Sequence, residues 1–218
     1  MRILITAGGT REYIDPVRFI SNASSGRMGY ALARAALKAG HKVTLITAPT
    51  LLKTPADAKV VPVESAAEMF EAVKKQFPTC DCLIMAAAVS DYTPVKPSKM
   101  KLKKQTTGLT LELKPTPDIL KWAGRLKGGS HATGTWSPIL VGFALEDRDL
   151  RENAERKLRE KNLDMIVANA PSAIGAERST VHIKIRGGEW IETANKNKTA
   201  TADRIIALIE RHIHSEGL

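Results

Sequence analysis

Two glycine-rich turns near the start of the chain carry residue types suited to gripping an anion. Gly8-Gly9-Thr10 follows an apolar run, and Ser24-Ser25-Gly26 opens a stretch of helical spacing. Glycines let backbone N–H groups approach phosphate oxygens, and a helix N-terminus adds free donors and a partial positive charge. Taken singly, each also reads as an ordinary turn or a serine N-cap. The connection between them, Arg11 to Ala23, is unusually long for a strand-to-helix link, and long ordered loops are disproportionately functional. It holds Arg18 and Asn22, a cation and an amide donor; a surface ion pair and an N-cap or Asx turn are their plainer roles. Further on, Lys96, Lys99, Lys101, Lys103 and Lys104 form a charge run, which on composition alone is a solvated face. Lys157 and Lys161 lie one turn apart on an expected helix on which Glu152 can pair with Arg156 and Glu155 with Arg159. That leaves two like charges together, as an anionic ligand would explain, with Glu160 as the plainer partner of Lys157.

Other chemistries fit less well. The chain has no G-x-G-x-x-G, and its second strand ends in Thr47-Ala48-Pro49 with no acid to hold a ribose, which disfavours a dinucleotide dehydrogenase. The Tyr-x-x-x-Lys pair of a short-chain reductase occurs once, at Tyr92 and Lys96, where Pro94 prevents a helical pairing. Five histidines with Cys80 and Cys82 make no zinc spacing, and the two cysteines read as small core residues in a reducing compartment.

The elements that would position these residues follow an α/β rhythm. Apolar strands are expected at Arg2–Ala7, Lys42–Thr47, Lys59–Val63, Asp81–Val89, Ile139–Ala144 and Asp164–Ala168. Helices are expected from Ser24 to Ala36, from Ala66 to Phe77, over 147–162 and over Thr201–His214. The fold class is therefore α/β, a Rossmann-like parallel sheet flanked by helices, in one domain spanning 1–218. Prolines and lysines interrupt the rhythm with a flap at about 92–115, an extra loop at about 127–136 and a C-terminal hairpin at 181–192. Lys plus Arg exceeds Asp plus Glu by 33 − 23 = 10, so the surface should attract anions. The few aromatics do not interleave with the lysines, which argues against a base-stacking nucleic-acid platform; a basic RNA-binding module stays as an alternative, and a Rossmann-type NAD(P)-binding reductase as another. No run reaches the roughly 20 apolar residues of a membrane span, and the expected location is cytoplasmic, with no membrane partner.

The order of these motifs resembles one family. Thr6 to Glu12, Ile14 to Asn22, Ser24 to Gly29, Ala87 to Tyr92, Lys101 to Lys104, Pro117 to Leu120, Val141 to Ala144 and Lys157 to Asn169 are together similar to phosphopantothenoylcysteine synthetase, in order along nearly the whole chain. The resemblance implies a ligase that joins phosphopantothenate to cysteine through an acyl-cytidylate, with CTP favoured over ATP, Mg²⁺ required, and pyrophosphate and CMP released. It implies Asn22, Arg18 and Lys101 as catalytic residues, Asn22 at the acyl group and Lys101 as the lid residue that reaches the nucleotide phosphates. The nucleotide-binding set it implies is Gly9, Thr10, Ser24, Ser25, Gly26, Met85, Asp91, Lys101, Pro117, Asp118, Ile119, Leu120, Phe143, Lys157 and Lys161, with magnesium met mainly through the phosphates. Met85 is also readable as core. A homodimer whose flap exchanges contacts is implied too, as is a stand-alone form with a separate decarboxylase acting downstream. The sequence departs from the family pattern at Ala23, Arg27 and Gly175 to Thr180, which leaves any site role of that last loop open.

Overall fold

The computed structural model describes residues 1–104, 106, 108–127, 130, 131, 134, 135 and 137–216. Half of the expected extra loop at 127–136 therefore lies outside the described residues. The chain runs β1 (Arg2–Ala7), β2 (Arg11–Tyr13), β3 (Phe19–Ser21), α1 (Arg27–Lys38), β4 (Lys42–Thr47), β5 (Lys59–Pro62), α2 (Ala66–Gln76) and β6 (Cys82–Met85). It continues through β7 (Tyr92–Pro94), β8 (Leu113–Pro115), α3 (Ile119–Leu126), β9 (Ser130–His131), β10 (Gly134–Thr135), β11 (Ile139–Leu145), α4 (Leu150–Glu160), β12 (Met165–Asn169), β13 (Arg178–Ile185), β14 (Trp190–Asn197) and α5 (Lys198–Glu216).

Eight strands form the main sheet in the order β14-β13-β12-β11-β6-β1-β4-β5. Every pairing from β5 to β12 is parallel, while β13 and β14 are antiparallel. This is a mostly parallel Rossmann-like α/β sheet. The sheet grows from β1 toward β5 in one direction and from β6 toward β12 in the other. The strand order therefore reverses between β1 and β6, and ligands of such sheets bind outside the carboxyl ends of the strands at that switch.

Helices cover both faces, so the central strands are apolar throughout instead of alternating. One face buries Tyr30, Leu32 and Ala36 of α1 with Ile205, Ile206 and Ile209 of α5; the other buries Met69 and Val73 of α2, Leu120 and Ala123 of α3 and Leu158 of α4. Cys80 and Cys82 are buried thiols in this core, not joined in a disulfide, and burial pushes the Cys80 thiol up to about 12.

Three regions differ from the sequence expectation. The Asp81–Val89 strand stops at Met85 because Ala87 to Ala88 turn away to meet the first glycine turn, where the Ala88 N–H donates to Gly8 at 2.8 Å. Arg11 to Ala23 is not a plain loop but contains the β2–β3 hairpin. The 92–137 interruption contains β7 paired with β8, and a full helix, α3, whose N-cap Asp118 accepts from the Lys121 N–H at 2.9 Å.

Candidate functional site

The carboxyl ends of β1 and β6 are stitched together by backbone and hydroxyl contacts. Thr10 N–H donates to Ala88 O at 3.2 Å, and Ser90 N–H to the Thr10 hydroxyl at 2.9 Å. Thr10 is fully buried, so its side chain serves this seam and does not reach into a pocket. Gly9 is required by close approach: a Cβ there would lie 3.0 Å from the Asn22 carbonyl oxygen and 3.2 Å from the Ser21 hydroxyl. The Asn22 amide donates to Ala88 O at 3.1 Å, so the residue bridges the end of β3 and the loop after β6. It is not an N-cap. That position belongs to Gly26, at φ 75° with no side-chain cap, and α1 begins with N–H groups available to a ligand.

Above this seam lies a pocket of about 530 Å³. It is lined by Asn22 and Ser24 ahead of α1, by Met85 of β6 and Asp91 in the loop beyond it, and by Thr116 to Leu120 at the start of α3. Phe143 on β11, Lys157 on α4 and Lys161 at the C-cap of α4 complete it. Met85 is almost wholly buried, with its sulfur 3.6 Å from the Thr6 hydroxyl, so it combines a core role with a place in the lining. A smaller cavity of about 90 Å³ shares Ser24 and Phe143 with the pocket and reaches Ser25, Arg27 and Lys198.

The two α4 lysines are not left facing each other as the spacing suggested. Lys157 pairs with Glu146 at 2.5 Å and Lys161 with Asp118 at 2.9 Å. Of the expected pairs, Glu155–Arg159 is seen at 3.7 Å, whereas Arg156 donates to Asn153. Burial would raise the Asp118 carboxyl, but the Lys121 N–H and Lys161 outweigh it and hold the group below the usual carboxylate range. Both lysines are thus held by carboxylate partners. Glu146 was not legible as a site residue because it lies on the loop after β11, eleven positions from its lysine. Asn169 and Ile174, which also line the pocket, were missed for the same reason: only the fold brings β12 and the turn beyond it to this end of the sheet.

Arg18 and Lys101 do not line the pocket within one chain. The Arg18 guanidinium pairs with Asp15 at 2.6 Å and donates to the Leu102 carbonyl oxygen, next to Lys101. Asp15 is opposed by burial, yet N–H donors from Val17, Leu102 and Arg18, with the guanidinium, bring its carboxyl down to about 2. Among the described residues no cluster of three or more His, Cys, Asp or Glu is placed to hold a metal ion, and no helix is long and apolar enough to cross a membrane.

Comparison with known proteins bears on these features. Residues 1–213 match the family model described as DNA/pantothenate metabolism flavoprotein C-terminal domain. The coenzyme A biosynthesis bifunctional protein CoaBC of Bacillus subtilis is 50% identical over 175 residues, covering 80% of this chain and 41% of that protein. A cysteine/cysteine sulfinic acid decarboxylase from an unknown prokaryotic organism is 44% identical over 218 residues, 98% of this chain and 59% of that protein. The chain thus spans under two thirds of the length of these relatives. Among solved structures, the C-terminal domain of a CoaBC protein superposes with a TM-score of 0.82 at 40% identity, covering 98% of this chain and 96% of that one. With a family model matched along nearly its full length and a CoaBC C-terminal domain matching it end to end, the chain belongs to the DNA/pantothenate metabolism flavoprotein C-terminal domain family.

Proposed function

We propose that this chain is a phosphopantothenate cysteine ligase of coenzyme A biosynthesis, working through an acyl-cytidylate. The observation that carries the reading is the single pocket that collects Asn22, Asp91, Asp118, Phe143, Lys157 and Lys161 at the sheet's switch point. A triphosphate beside a second phosphate and a carboxylate needs several cations and free N–H donors; Lys157 and Lys161 supply cations, and the open N-terminus of α1, which lines the adjoining smaller cavity, supplies donors. Phe143 gives the base or ribose an apolar surface. In the first step the phosphopantothenate carboxylate attacks the α-phosphorus of CTP and expels pyrophosphate. In the second, the cysteine amine attacks the acyl carbon and CMP leaves. Asn22, fixed by Ala88, is the amide donor for the acyl oxygen as charge develops on it.

A magnesium ion on the triphosphate would neutralise charge on the leaving pyrophosphate. The donor set here suits an ion carried mainly by phosphate oxygens: Asp91 on the pocket edge is the carboxylate available to it. A homodimer fits the exposed apolar residues Val17, Phe19 and Ile20 on the β2–β3 hairpin, and Tyr92, Leu111 and Leu113 around β7–β8. A lysine flap that stands away from its own pocket suits a partner's pocket. The reading is tested by titrating CTP and ATP against wild type and the K157A and K161A variants. Tighter CTP binding that both variants weaken supports it; equal or tighter ATP binding overturns the nucleotide assignment.

A further inference from the structure

The two oxygens of the Asp15 carboxylate do separate jobs. Oδ1 accepts the Val17 N–H at 2.8 Å and the Arg18 N–H at 2.9 Å, closing the turn of the β2–β3 hairpin on itself. Oδ2 reaches to a different part of the chain: it accepts the Leu102 N–H at 3.1 Å and holds the Arg18 guanidinium at 2.6 Å. That same guanidinium donates to the Leu102 carbonyl oxygen, and Ser98 N–H donates to Ile14 O at 2.9 Å. The Asp15 side chain is completely shielded from solvent. Residues 98–102, which include Lys99 and Lys101, are therefore strapped to the hairpin whose last strand runs directly into Asn22.

We propose that Asp15 is a positioning residue: through Leu102 it fixes the lysine-rich strap against the hairpin and so sets where Lys101 is presented. The physical part of the proposal stands on the hydrogen bonds alone, and its consequence for turnover rests on the ligase reading above. A carboxylate suits the task because it accepts on both sides. An amide does not. In the D15N variant the amide oxygen can keep the Val17 and Arg18 N–H donors, while its NH2 group faces the Leu102 N–H and the guanidinium, donor against donor. The turn is kept and the strap is released.

The first measurement is limited trypsin digestion with mapped cleavage sites, on the full chain. D15N is expected to speed cleavage after Lys99, Lys101, Lys103 and Lys104 by about tenfold or more, the scale of a lost hydrogen bond to a charged group, with little change elsewhere. The R18K variant, which leaves Asp15 in place but removes the fork spanning Asp15 and Leu102, should speed the same cuts. Unchanged strap cleavage in both variants overturns the proposal whether or not the protein is a ligase. The second measurement is a double-mutant cycle on ligation: if Asp15 acts through Lys101, adding D15N to K101A lowers turnover by no more than about twofold, whereas a role confined to the hairpin gives multiplicative losses. Multiplicative losses, in a protein whose wild type ligates, would overturn the positioning role and leave the ligase reading standing.

Discussion

Asn22 shows how one residue's neighbours decide between two roles. In sequence, taken alone, it reads more plainly as a cap before a helix; in the fold Gly26 takes the cap position and the Asn22 amide, among the pocket-lining residues, is held by Ala88. Asn22→Ala is therefore expected to keep CTP affinity near wild type and to lose about 2.7 to 4 kcal/mol of transition-state stabilisation in single-turnover ligation. Asn22→Asp should be at least as damaging, since an ionised carboxylate repels the developing oxyanion and cannot donate; an active Asn22→Asp enzyme would falsify the acyl-site role. Asp15 makes a different prediction. Its folded pKa lies near 2, against 3.8 for an ordinary aspartate, so its contribution to stability is complete above the ordinary value and is lost as pH falls through the folded one. Thermal melts from about pH 5 to pH 2 should show the gap between wild type and D15N closing as acid is added. A gap that does not change with pH would contradict the assignment.

At the scale of elements, the six parallel strands were legible because both faces are covered and each strand is a short apolar run bounded by turn residues. What escaped was amphipathic and short. The β2–β3 and β7–β8 pairs have three-residue strands, too brief for alternation to register. The helix α3 was masked by Pro115 and Pro117 just before it, although Asp118 followed by apolar Ile119, Leu120 and Ala123 is an N-cap and a buried stripe. Packing of α3 on α4 also fixes a site residue. A Cβ at Gly124 would lie 1.9 Å from the carbonyl oxygen of Lys161, so backbone must move if anything larger is placed there. Gly124→Ala is expected to cost about 1–3 kcal/mol in denaturant unfolding and to weaken nucleotide binding by shifting Lys161 from Asp118. Unaltered binding would mean that Lys161 is not set by this contact.

For the molecule as a whole, the net charge of +10 pointed to an anionic ligand, and the fold brings Lys157 and Lys161 to one end of the sheet beside Asp91 and Asp118. The family resemblance implied just over half of the pocket lining, since Asn22, Ser24, Met85, Asp91, Pro117 to Leu120, Phe143, Lys157 and Lys161 all line it. It could not supply the carboxylate partners of the two lysines, which depend on β11 and α3 approaching α4. Lys101 and Arg18 stand outside the pocket of their own chain. If the flap serves a partner's pocket, the protein should sediment as a dimer, and charge substitution at exposed Phe19 and Tyr92 should yield monomers with little ligation activity. Active monomers would rule that arrangement out. With CTP, Mg²⁺ and phosphopantothenate but no cysteine, a burst of pyrophosphate is predicted, up to one equivalent per site, with CMP released only when cysteine is added. Pyrophosphate formed without phosphopantothenate, or none until cysteine is present, would contradict an acyl-cytidylate made in this pocket.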